Sequence, residues 1–201
     1  MTTDPIEFYF DFSSPYGYLA AHRIETVGAE FDREVRWRPI LLGAVFKASG
    51  QSPLVSQPLR GPYHKHDIQR TARRLKLPFR FPDGFPMATI AAARAFYVLD
   101  ATAPQHAKRL ALALLDAAFQ QGIDISTLAT VLDISESLGF DRAAIEAGVA
   151  DNVIKLRLKA ETDTAIARNI FGSPFFIVDG EMFWGNDRIP DLKDWLRTGG
   201  W

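Results

Sequence analysis

Apolar residues follow short strand patterns at the two ends of this chain and recur at helical spacing in between. Ile6 to Phe10 is aromatic, β-branched and apolar almost throughout, as a central strand is. Pro15 suits the first turn of a helix, and Tyr18, Leu19, Ile24 and Val27 give that helix an apolar face down to Gly28. Val35 to Arg38 alternates apolar and charged residues like a half-buried strand, ended by Pro39. Residues 40–87 are broken by Pro and Gly, and only Tyr63 to Leu75 reads there as a helix. Helical spacing then dominates. It covers Ala88 to Leu99, Gln105 to Gln121 before Gly122, Ser126 to Leu132, a helix capped by Asp141, and Asn152 to Asn169. From Phe175 the pattern is a strand, an Asp179-Gly180 hairpin turn and a second strand, then a final helix near Ile189 to Arg197.

A crossover helix makes the first two strands parallel, and the hairpin makes the last two antiparallel. This order resembles an α/β thioredoxin-like core, residues 1–40 and 170–201, with a large all-helical domain inserted at residues 41–169.

Composition narrows the chemistry. The 201 residues are 47% hydrophobic and 23% charged, with net charge -1, which suits an ordinary globular protein. There is no cysteine, which excludes disulfides, thiolate metal sites and redox chemistry on protein sulfur. No metal site is expected. Met1 to Pro5 has neither a basic start nor an apolar run, so no signal peptide is expected. No apolar run reaches the length of a membrane span, so the expectation is a cytoplasmic protein without a membrane partner. The basic cluster Arg70 to Lys76 falls in a helical pattern and reads as a solvated face, not a nucleic-acid surface.

Three places can carry chemistry. Ser14 stands where the first strand meets the first helix. It is either an ordinary N-cap or part of an anion site built on free helix N–H groups, and Ser13 can share the role. Ser173-Pro174 is either a plain strand entry or a backbone edge offered to an extended ligand. In Trp184-Gly185-Asn186-Asp187-Arg188, Asn186 or Asp187 either caps the last helix or holds an amino group and a carboxylate. No Gly-x-Ser-x-Gly elbow is present, which argues against Ser-His-Asp hydrolysis.

Taken together, these motifs resemble the 2-hydroxychromene-2-carboxylate isomerase family, which is related to kappa-class glutathione transferases and to the DsbA-like thioredoxin fold. The likeness is carried by Phe8 to Tyr16, Leu41 to Lys47, Gly172-Ser173-Pro174 and Phe183 to Arg188, and runs essentially end to end. In thiol-disulfide enzymes of this fold the strand-helix junction holds Cys-x-x-Cys, where this chain has Ser14-Pro15-Tyr16-Gly17. The sulfur must therefore come from a cofactor, and the resemblance implies reduced glutathione.

It further implies residue roles. Ser14 matches the catalytic serine that faces the glutathione sulfur, and Ser173, before a cis proline, pairs its backbone with the cysteinyl part. Asn186 and Asp187 bind the γ-glutamyl end, and Arg60 stands where a lysine usually holds the glycyl carboxylate. Gln51 replaces an asparagine, and Asp67 lies near glutathione across a homodimer. Lys47 is the cation for a small aromatic carboxylate substrate, with Tyr16, Phe46, Phe85 and Trp184 as its apolar wall. His64 and His66 have no family role and read as surface residues. A kappa-like transferase and a redox-inactive peptide-binding module are the competing readings.

Overall fold

The computed structural model describes residues 4–201. Met1 to Thr3, the start of the segment read as lacking a signal peptide, lie outside the described residues. Four strands form one mixed sheet in the order β2-β1-β3-β4. They are β1 (Ile6–Phe10), β2 (Val35–Pro39), β3 (Phe175–Val178) and β4 (Glu181–Trp184). β1 pairs parallel with β2 and antiparallel with β3, and β3 pairs antiparallel with β4. Asp179 and Gly180 both take positive φ in the hairpin turn, 52° and 84°, as an Asp-Gly turn requires.

The helices are α1 (Pro15–Glu30), α2 (Leu42–Ser49), α3 (Arg60–Leu75), α4 (Ile90–Asp100), α5 (Pro104–Phe119), α6 (Leu128–Ser137), α7 (Arg142–Ala150), α8 (Asn152–Ala167) and α9 (Ile189–Thr198). Several differ from expectation. α2 had no sequence signal. α3 starts earlier than Tyr63, and α6 runs beyond Leu132 to Ser137. Pro39 is the last residue of β2 instead of lying beyond it.

Alternation along the strands sorts side chains to two faces. Ile6, Phe8 and Phe10 of β1 and Phe176 and Val178 of β3 join one buried cluster that continues through α1, α4 and α5 to Phe96, Leu110 and Phe119. That core runs without a break from the sheet into the helices of residues 41–169. On the other face Tyr9, Phe175 and Ile177 pack with Leu42 and Val45 of α2 and Ala165 of α8. A sheet covered on both sides explains why β3 is apolar throughout and β1 apolar but for Glu7. Among the described residues no helix is long and apolar enough to cross a membrane.

Candidate active site

Asp11 organises the junction at the C-terminal end of β1. It is 3% exposed. Its Oδ1 accepts from Ser13 N–H at 2.7 Å and from the Thr89 hydroxyl at 2.8 Å, and its Oδ2 accepts from Leu42 N–H at 2.7 Å. Its own N–H donates to Ser173 Oγ at 3.1 Å. The Asp11 carboxylate thus ties together the starts of α1, α2 and α4, and its backbone N–H ties them to the loop before β3. A buried carboxylate is tolerated when its lone pairs are filled in this way.

Ser14 is the N-cap of α1, and its Oγ accepts from Gly17 N–H at 3.0 Å. The same hydroxyl donates to the carbonyl of Ser173 at 2.9 Å. The N-cap geometry and the contact with the Ser173 backbone therefore coexist. Pro15 has no N–H, and Tyr18 N–H bonds Ser14 O at 2.9 Å. Tyr16 N–H is the first-turn donor left without an acceptor among the described residues. It points a helix N-terminus at any anion bound beside Ser14.

Gly17 occupies the fourth position of the junction. A Cβ there would lie 2.9 Å from Ser173 Oγ and 3.1 Å from Ser14 Cβ. Position 17 has no room for the second thiol of a Cys-x-x-Cys pair as these neighbours stand. Ser173-Pro174 and Phe85-Pro86 are both cis peptide bonds.

A cleft of about 570 Å³ opens over this junction. Ser13, Ser14, Tyr16 and Ser173 form its floor. Phe46, Phe85, Phe171 and Trp184 give it an apolar wall, and Gln51, Arg60 and His64 lie on the opposite side. Trp184 fits because Gly172 has no side chain: a Cβ there would come within 2.3 Å of Trp184 Nε1. Arg60 is exposed and has no carboxylate partner among the described residues.

Not every expected residue lies in this cleft. Lys47 is on the exposed face of α2 and does not line it; the cation that does is Arg60. Asp67 stands behind Tyr16, accepting its hydroxyl proton at 2.6 Å and pairing with Arg70 of its own helix. Burial, that hydrogen bond and the charges of Asp67 and Asp187 hold the Tyr16 phenol well above its ordinary pKa. Asp187 is exposed and, like Asn186, does not line the cleft; it stands beside Arg188 at 3.4 Å. Asn186 is buried, and its Oδ1 accepts from Arg23 Nη1 at 2.8 Å. Neither caps α9, whose N-cap is Arg188 without a side-chain bond. His66 is exposed as expected, whereas His64 is half-buried in the cleft wall, because α3 turns that side toward Tyr16.

Sequence reasoning missed Asp11 and Thr89. An Asp directly after a strand reads as a turn residue, and two of its three donors, Leu42 N–H and the Thr89 hydroxyl, lie in other parts of the chain. Among the described residues no group of three His, Asp or Glu is placed to hold a metal ion.

Comparison with known proteins follows this geometry. Residues 5–197 match the model of the DsbA-like thioredoxin domain. A 2-hydroxychromene-2-carboxylate isomerase of Pseudomonas putida is 32% identical over 188 residues, covering 92% of this chain and 90% of that protein. The human protein glutathione S-transferase kappa 1 is 24% identical, covering 95% of this chain and 90% of its own. A solved 2-hydroxychromene-2-carboxylate isomerase superposes with a TM-score of 0.85 at 31% identity, covering 94% of this chain and 92% of its own. The chain belongs to the DsbA-like thioredoxin family, in the group of the 2-hydroxychromene-2-carboxylate isomerases.

Proposed function

We propose that this protein is a glutathione-dependent isomerase that interconverts 2-hydroxychromene-2-carboxylate and trans-o-hydroxybenzylidenepyruvate. The observation that carries the reading is the cleft itself. It joins a helix N-terminus without cysteine to an apolar aromatic wall and an unpaired arginine. Its relatives of the same length carry that activity in their names.

Glutathione brings the sulfur. Its cysteinyl N–H pairs with the Ser173 carbonyl, and the Ser14 hydroxyl then turns from that carbonyl to the thiolate. Tyr16 N–H and the α1 dipole add to the stabilisation of the anion. Arg60 takes the glycyl carboxylate in a charge-assisted bond, and Asp187, exposed outside the cleft lining but close enough for its charge to act on Tyr16, takes the γ-glutamyl ammonium. The opened, conjugated substrate lies against Phe46, Phe85 and Trp184.

The thiolate adds to the alkene carbon, and the π electrons move onto the conjugated carbonyl as an enolate. The former double bond is now single and rotates. The enolate then re-forms the double bond in the trans arrangement and expels the thiolate. Glutathione is recovered unchanged. A homodimer in the cytoplasm belongs to the same reading.

A second reading, a kappa-like transferase, is favoured by the 24% identical kappa relatives. It differs in releasing the conjugate. Titration calorimetry with reduced glutathione tests both. Saturable binding is the expected result; its absence in several buffers overturns the cofactor assignment.

A further inference from the structure

The polarity of one hydrogen-bond chain in the cleft wall assigns a proton. Tyr16 has a single hydroxyl proton, and it is committed to Asp67 Oδ2 at 2.6 Å. At its contact with His64 Nδ1, 3.5 Å away, the Tyr16 oxygen can then only accept. The proton of the neutral imidazole therefore sits on Nδ1, and the lone pair is on Nε2. Nε2 has no partner among the described residues.

The chain is anchored behind. Arg70 holds Asp67 Oδ1 through Nε at 2.9 Å and Nη2 at 2.6 Å, and bonds the Tyr63 hydroxyl at 2.9 Å. An imidazole that lines a cleft, with its Nδ1–H oriented by a polar chain and its Nε2 unpartnered among the described residues, is the arrangement of a general base. We propose that His64 is the catalytic base that takes the thiol proton of glutathione, an assignment that rests on the function proposed above.

The surrounding charges are consistent with this. The titratable side chains that line the cleft are Tyr16 of α1 and Arg60 and His64 of α3. Arginine stays protonated, and the Tyr16 phenol is held above its ordinary range. Tyr63 and Asp67 on α3 and Asp187 after β4 face the same hydroxyl. Imidazole is thus the cleft side chain with a nitrogen lone pair that no partner among the described residues occupies. In the step, the S–H bond breaks, its electron pair stays on sulfur, and the proton forms an N–H bond at Nε2. Asp67 stabilises the imidazolium through Tyr16. The isomerisation returns the thiolate at each turn, so the proton moves once for each glutathione bound. His64 governs loading, not the rotation step.

The test is glutathione titration of the wild type and His64→Gln at neutral pH. Calorimetry in buffers of different ionisation heat counts released protons, and ultraviolet absorbance reports the thiolate. In the wild type, the thiolate is expected to form without proton release. In His64→Gln, glutathione still binds and Ser14 with the α1 N-terminus still favours the anion, but each thiolate now releases one proton to solvent, and the thiolate band at pH 7 falls severalfold and recovers as the pH rises. One proton released per thiolate by the wild type, or an unchanged band and proton count in the variant, overturns the role of His64 alone. No binding to either protein overturns the glutathione reading and this assignment with it.

Discussion

The two sides of the cleft are built differently. The floor, from Asp11 to Gly17 with Ser173, has local bonds at Ser13 and Gly17 but is tied into the molecule by bonds whose partners lie 31 to 162 residues apart in the chain. The facing side, from Gln51 to Asp67, is held largely by near neighbours, such as Gln57 Nε2 to Ser52 O and Gly61 N–H to Gln57 O. Leu59 there is 94% exposed at φ 65°, a conformation that costs a non-glycine residue free energy. Tyr16 to Asp67 is the bond that joins the two sides. A floor fixed by long-range bonds suits the placing of a reactive sulfur, where small displacements are costly. A side built from local bonds suits holding a ligand by charge. Substitutions on the floor should therefore harm stability and turnover, and those on the facing side should harm affinity.

The largest effect is expected at Asp11. Asp11→Ala leaves the Ser13 and Leu42 N–H groups and the Thr89 hydroxyl without their acceptor. The cost is about 3 kcal/mol or more, a fall of roughly 10 °C in Tm for a chain of this size. Gln57→Ala on the facing side removes only an exposed bond and should move Tm by under about 2 °C. Equal shifts in thermal melts of the two variants would break the contrast.

Ser14→Ala comes next. Loss of a donor aimed at the thiolate lowers turnover by about 10²-fold, while loss of the cap costs about 1 kcal/mol. Steady-state kinetics beside thermal melts separate the two. Normal turnover with a lower Tm would leave Ser14 as a structural residue.

Arg60→Ala should weaken glutathione roughly tenfold to a hundredfold, as a charge-assisted bond of about 1.5–3 kcal/mol is lost. Turnover at saturation should hardly change. A loss in kcat with unchanged Kd by calorimetry would place Arg60 with the floor.

The smallest effect is expected at Lys47, exposed on α2 and outside the cleft. Lys47→Ala should change kcat/KM by less than about twofold. A tenfold loss would show that α2 moves to bring this side chain to the substrate.

The same contrast governs what the sequence made legible. Strands β1, β3 and β4, the Asp179-Gly180 turn and the start of α1 at Pro15 announce themselves through local pattern. Helix α2 did not, because Gly43 interrupts it, Gly50 follows it, its N-cap Leu41 has no capping side chain, and the acceptor for its first N–H is Asp11, far away in the loop after β1. Thr89 gives its hydroxyl to Asp11 instead of capping α4. Such tertiary caps leave no spacing signature. Ser14, Ser173, Phe46 and Trp184 could be named because each sits in a motif, Arg60 and Phe85 were named although they lie outside the motifs, and Phe171 of the wall was not named. His64 could not: α3 is polar almost all round, and periodicity does not say which polar side of it meets α1.

The most direct test of the central claim is an absorbance assay on 2-hydroxychromene-2-carboxylate with and without catalytic amounts of reduced glutathione, with free glutathione measured at the end. The expected result is conversion to trans-o-hydroxybenzylidenepyruvate only when glutathione is present, many turnovers for each glutathione, and full recovery of the thiol. Conversion that is indifferent to glutathione, or stoichiometric consumption of glutathione into a conjugate, would contradict it.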